Sequence, residues 1–207
     1  MKYVLLLIFL GAAIFFFIKQ DAIVGYFSMS KEKKAAESSQ MTHLPRNSNR
    51  KTLLVYFSWG GNTRAIAKEI HEDIGGDALE LQPEEPNHYP STYDAAVKVG
   101  KKEVSEEIYP RILALPESLD AYDTIVLGYP IWWHAAPMLV QTFLRAYDFS
   151  GKTLLPFATS GWDPVEITIP SLQKAAPGAI IGEPLLANRQ TTVRPWLKKH
   201  HLLQEKN

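Results

Sequence analysis

Residues 51–74 read KTLLVYFSWGGNTRAIAKEIHEDI, and this stretch decides the architecture. Leu53, Leu54, Val55, Tyr56 and Phe57 form an apolar run with no polar alternation, bounded by Ser-Trp-Gly-Gly. A strand buried on both faces reads that way. From Thr63 the spacing turns helical. Ile66, Ala67, Ile70 and Ile74 fall on one face, and Gly75-Gly76 ends the helix.

The same alternation continues toward the C-terminus. Residues 78–81 predict a second strand, 83–90 an irregular acidic stretch, and 93–108 a helix with Ala96, Val97, Val104 and Ile108 inward. Residues 124–128, TIVLG, predict a third buried strand. Pro137 opens a helix that runs through 138–147. Residues 153–158, TLLPFA, predict a fourth strand despite Pro156. A helix over 165–176, a weak fifth strand at 179–181 and a closing helix at 192–199 complete the pattern. Short apolar strands alternating with amphipathic helices mean an α/β fold on a parallel sheet. In such sheets ligands bind beyond the carboxyl ends of the strands, where strand order reverses.

Upstream, the character is different. Residues 3–18, YVLLLIFLGAAIFFFI, are unbroken and apolar between Lys2 and Lys19. As a helix they reach ~24 Å, slightly under a hydrocarbon core of ~30 Å, and flanking lysines can snorkel across the difference. Residues 1–20 therefore read as a single-pass membrane anchor or a signal segment, with a buried core helix as the weaker alternative. Cleavage is disfavoured because Lys19, Gln20 and Asp21 follow where a small-x-small site belongs. Residues 21–50 form a polar, basic linker without hydrophobic period.

The chain has 207 residues and no net charge, but that balance is uneven. Residues 1–50 carry seven Lys/Arg against three Asp/Glu, a net of +4, and residues 51–207 a net of −4. A basic arm on a mildly acidic body fits a membrane-facing segment and gives no reason to expect a nucleic-acid partner. Lysines flank the apolar run on both sides. Their excess beyond it mildly favours a cytoplasmic domain, and an exported domain begins in much the same way. The absence of cysteine excludes disulfides, thiolate metal sites, cysteine nucleophiles and Cys-ligated clusters.

Three loops follow strands one, three and four. Ser58, Trp59, Gly60, Gly61, Asn62 and Thr63 lead straight into a helix, where backbone N–H groups and the helix dipole favour an anion. A plain helix cap is the competing reading. Pro130, Ile131, Trp132, Trp133 and His134 place two tryptophans in a loop, where they serve as a hydrophobic plug or as walls for a planar ring. Loop placement favours the ring. Thr159, Ser160 and Gly161, followed by Trp162 and Asp163, make either an ordinary turn or a third wall. Together the loops suit one ligand with an anionic end and a planar end, and FMN has that shape.

YFSWGGNTRAIAKEI resembles the phosphate loop of the flavodoxin family, GYPIWWHAAPMLVQTFL the flavin loop of its short members, and FATSG their third flavin loop. Residues 89–111 are also similar to the helix and tail between strands two and three of that subgroup. The resemblance covers 51–200 and leaves 201–207 as a tail. It implies an open five-stranded parallel sheet, order 2-1-3-4-5, with helices on both faces, to which the N-terminal hydrophobic helix is added. It implies FMN at the switch point. Ser58, Trp59, Gly60, Gly61, Asn62 and Thr63 then contact the phosphate, Pro130, Ile131, Trp132, Trp133 and His134 contact the isoalloxazine, and Thr159, Ser160 and Gly161 form the far wall. Gly60 stands where relatives often carry Thr, and Trp162-Asp163 where they carry Gly-Ser. An anionic Asp163 would disfavour a negatively charged reduced ring.

Three functions follow from the resemblance: an NAD(P)H-dependent oxidoreductase acting on a quinone-like acceptor, a one-electron carrier between protein partners, and a flavin-free scaffold. Many carriers of the family flip a peptide in the loop after strand three to stabilise one-electron-reduced flavin. That flip needs positive φ. The loop here has no glycine, and forcing a bulky residue there costs about 1–3 kcal/mol. Little one-electron-reduced flavin is expected. Glu103, Glu106 and Glu107 with Lys101 and Lys102 read as a solvated helix face, and His200-His201 as solvated tail. No Ser-His-Asp set with a nucleophile elbow is present, so no catalytic or metal-binding residue is nominated.

Overall fold

The computed structural model describes residues 52–188 and 193–203. The apolar segment 1–20 and the linker 21–50 lie outside these residues. Among the described residues no helix is long and apolar enough to cross a membrane.

Among the described residues five helices and six strands follow one another: β1 (Thr52–Tyr56), α1 (Asn62–Ile74), β2 (Asp77–Glu80), α2 (Tyr93–Glu106), β3 (Thr124–Pro130), α3 (Met138–Arg145), β4 (Thr153–Thr159), α4 (Ile169–Ala175), β5 (Ile180–Ile181), β6 (Leu185–Leu186) and α5 (Val193–Lys199). A 3₁₀ turn, Val165–Thr168, leads into α4. The sheet is parallel with order 2-1-3-4-5, and the short β6 adds a second pairing to β4 beyond β5. The order reverses between β1 and β3, paired in register from Thr52↔Thr124 to Tyr56↔Gly128.

Both faces of the sheet are covered, which is why its strands are apolar without alternation. Leu53, Val55, Ile125, Leu127 and Leu154 pack with Leu139, Val140, Phe143 and Leu144 of α3 and Leu172 of α4. Leu54, Tyr56, Val126, Leu155 and Phe157 pack on the other face with Ala67, Ile70 and Ile74 of α1 and Val193, Trp196 and Leu197 of α5. Leu202, past the expected boundary at 200, is buried in this second cluster.

Helix α2 departs from the expected pattern. Its buried residues are Ala96, Gly100 and Glu103, while Ile108 lies beyond the helix and is exposed. The i, i+4, i+7 stripe therefore contains a glycine and a carboxylate, which hydrophobic periodicity passes over. Gly100 provides the seat for Trp132, since a Cβ there would stand 3.0 Å from the indole Cε3. Glu103, read from sequence as solvated, is only 2% exposed. It accepts hydrogen bonds from Tyr89 Oη at 3.1 Å and His88 Nε2 at 2.6 Å, which satisfy a carboxylate otherwise costly to bury. Burial raises the Glu103 carboxyl above its ordinary range, and the His88 contact opposes that rise.

Candidate functional site

Phe57, Tyr129 and Ala158 lie at the carboxyl ends of three adjacent strands, and the loops beyond them meet at the switch point. The first loop closes on itself when the Gly61 N–H donates to Ser58 Oγ at 3.1 Å. Gly61 is the cap residue of α1, left-handed at φ 91°, and no side chain caps that helix end. The cap reading is therefore not realised, since Ser58 is spent inside the loop. Trp59 does not point freely outward. Its indole N–H donates to the Pro90 carbonyl at 2.8 Å and ties the loop to the stretch before α2. Thr63 is 1% exposed, and its hydroxyl lies 2.9 Å from that of Thr159. This contact joins loop one to loop three.

In loop two the tryptophans part company. Trp132 takes the plug role: its ring meets Tyr89 and Phe57 edge-on at 5.0 and 5.5 Å and rests on Gly100. Trp133 is 40% exposed, its indole N–H donating to the Val97 carbonyl at 3.2 Å and its ring lying under Lys101 Nζ at 5.2 Å. Between Trp132 and Ala135 the backbone closes with reciprocal hydrogen bonds of 3.1 Å, and the intervening Trp133 and His134 have φ of 51° and 60°. Two left-handed residues inside a two-residue hairpin make a type I′ turn.

The expectation that bulky residues here avoid positive φ is thus corrected, because both already occupy it. Left-handed backbone costs each roughly 1–2 kcal/mol. The indole hydrogen bond and the cation–π contact offset about 1 kcal/mol each. His134 contributes a further restraint, with Nδ1 at 3.0 Å from Asp163 Oδ1.

Loop three is braced from below. Ser160 N donates to Asn188 Oδ1 at 3.2 Å, and Ser160 Oγ accepts from the backbone of Trp162 and Asp163 at 3.1 and 2.8 Å. A Cβ at Gly161 would meet nothing within 4 Å, so the tip is open. Trp162 stands 83% exposed. Beneath the loops, Tyr129 Oη and Thr168 Oγ1 lie 2.8 Å apart, and burial keeps that phenol protonated well above its ordinary range. Asp163 was nominated only as a cap or a charge near the ring. Its pairing with His134 spans 29 residues, and no local motif announces it.

The family model for flavodoxin matches residues 51–200. The chain belongs to the flavodoxin family. A protein from Bacteroides uniformis ATCC 8492, designated a flavoprotein, is 35% identical, with a TM-score of 0.61 over 73% of this chain and 99% of its own. A second, from Bacteroides eggerthii DSM 20697, is 30% identical with a TM-score of 0.62, covering 73% of this chain and 98% of its own. A flavoprotein from Lactobacillus acidophilus NCFM, solved in complex with FMN, shares the fold at 20% identity, with a TM-score of 0.58 over 66% of this chain and 92% of its own. Among curated proteins none matches.

Proposed function

We propose that this protein is a membrane-tethered, FMN-dependent oxidoreductase that passes electron pairs from NAD(P)H to a quinone-like acceptor. FMN is the cofactor. Family membership supports it, as does the donor set at the start of α1. A glycine-capped helix end without a side-chain cap, beside the Thr63 and Thr159 hydroxyls, suits a phosphate monoester. Trp133, Gly161 and Trp162 leave a planar ring room at the rim. Once bound, FMN supplies redox chemistry that no side chain provides. Loop one holds the phosphate, and loops two and three orient the ring.

The type I′ turn carries the preference for electron pairs over single electrons. Flipping its central peptide would leave Trp133 at positive φ with ψ near that of a type II′ turn, a region in effect reserved for glycine. The expected scarcity of one-electron-reduced flavin follows from this geometry. The reason is not a penalty for entering positive φ, which the loop already bears. Steady-state NAD(P)H oxidation by the purified protein, with and without a quinone, tests the reading. Turnover well above that of free FMN is expected. Oxidation no faster than free FMN returns the protein to the role of carrier.

The tether rests on residues 3–18 and the basic linker. Deleting residues 1–30 should release a soluble, flavin-binding protein, because the loops lie beyond residue 51. An insoluble or unfolded product would place the segment in the core. Protease accessibility in sealed cells against opened ones tests the cytoplasmic side, which the lysine excess favours.

A further inference from the structure

Asp163 has no part in the reading above, and Trp162 enters it only at the rim of the ring site. The imidazole Nδ1 of His134 lies 3.0 Å from Asp163 Oδ1 and joins loop two to loop three. A carboxylate only accepts, so Nδ1 carries the hydrogen of this bond, and Nε2 has no partner among the described residues. Each member of the pair follows a tryptophan in the chain, Trp133 at 40% exposure and Trp162 at 83%. Two wet indoles, each next in the chain to one member of this pair, give a surface suited to a flat aromatic molecule that needs a proton. The left-handed backbone at His134 holds the ring there against local strain, and such strain gathers where geometry serves function.

We propose that His134 is the proton donor to a planar quinone-class acceptor covered by Trp133 and Trp162, with Asp163 positioning the imidazole. This rests on the oxidoreductase reading. A quinone becomes a hydroquinone by taking up two electrons and two protons. Both electrons and one proton come from the reduced cofactor, which is oxidised. The second proton leaves Nε2 of the His134 imidazolium for the acceptor oxygen, so an N–H bond breaks and an O–H bond forms. Solvent returns a proton to the exposed ring.

The full-length, FMN-loaded protein is photoreduced without oxygen and mixed with menadione, which takes electrons and protons, or with ferricyanide, which takes electrons alone. His134→Asn keeps a residue tolerant of positive φ but removes the acid. Its ratio of menadione to ferricyanide rates should fall by roughly 10²-fold or more, the usual contribution of a positioned proton donor. Asp163→Asn should lower the ratio in the same direction by less. An unchanged ratio, or equal losses with both acceptors, overturns the proposal. A wild-type protein reoxidised by menadione no faster than free FMN overturns the oxidoreductase reading itself, and the proposal with it. Nitrogen NMR of the flavin-free protein gives a readout apart from turnover. Neutral His134 should carry its hydrogen on Nδ1 and shift it toward Nε2 in Asp163→Asn. A wild-type ring protonated on Nε2 removes Asp163 from the role.

Discussion

At the end of β1 the chain turns left-handed once, at Gly61, and at the end of β3 it does so twice, at Trp133 and His134. The first turn uses the residue that pays least for positive φ. The second uses two side chains that resist it and holds them by contacts from elsewhere: Val97 and Lys101 on α2, and Asp163 on loop three. A glycine loop remains free to adapt around a phosphate. A turn pinned by distant side chains keeps a single shape and resists the peptide flip that would favour single-electron transfer. The same backbone region is thus permissive in one loop and rigid in the other.

Gly61→Val should have the largest effect. A β-branched residue at φ 91° distorts the start of α1 and crowds the phosphate, weakening FMN by about 3 kcal/mol, roughly two orders of magnitude in Kd. Flavin fluorescence quenching measures it, and a loss below threefold would mean that loop one does not depend on its glycine. Trp133→Gly attacks the other loop. It opens the type II′ conformation, so one-electron-reduced flavin should rise by about one to two orders of magnitude, the reverse of a strain of roughly 1–3 kcal/mol. Anaerobic photoreduction followed in the visible detects it. A wild-type protein that already accumulates a stable blue radical would refute the rigid-turn argument.

Thr63→Val sharpens the comparison by asking what the Thr63–Thr159 contact does. FMN affinity should fall by about 1–2 kcal/mol with riboflavin scarcely affected, if the hydroxyl serves the phosphate. Equal losses for both ligands would make the pair a strut between loops. The smallest effect belongs to Glu103, buried against His88 and Tyr89. Its folded-state pKa is raised above the ordinary 4.5, so its contribution favours folding below that value and is lost as pH rises through the folded pKa. Glu103→Gln should therefore gain stability relative to wild type as pH rises from about 4.5 through the folded pKa. Denaturant melts across that range test the sign. A gap that widens toward acid instead would show that the His88 contact outweighs burial.

The buried faces of β1 and β3 and the glycine loop were legible in the sequence, and strand order came from the family resemblance. The first two depend on local pattern: unbroken apolar runs, helical spacing, and a Gly-Asn-Thr turn where a strand meets a helix. Helix α2 was not legible in the same way. Its buried stripe includes Gly100, present to seat an indole, and Glu103, satisfied by His88 and Tyr89 from 15 and 14 residues away. Nor could the chain alone distinguish Trp132 from Trp133, which are adjacent and chemically identical. One faces Gly100 and the core, the other Val97, Lys101 and solvent, because successive residues entering a tight turn project in opposite directions. Local pattern therefore determined the strands, the helices and the glycine loop. The conformation of the Trp133-His134 turn and the His134–Asp163 pair were decided only in the folded chain. Left-handed backbone at bulky residues is unfavourable in isolation and persists only where distant contacts offset its cost.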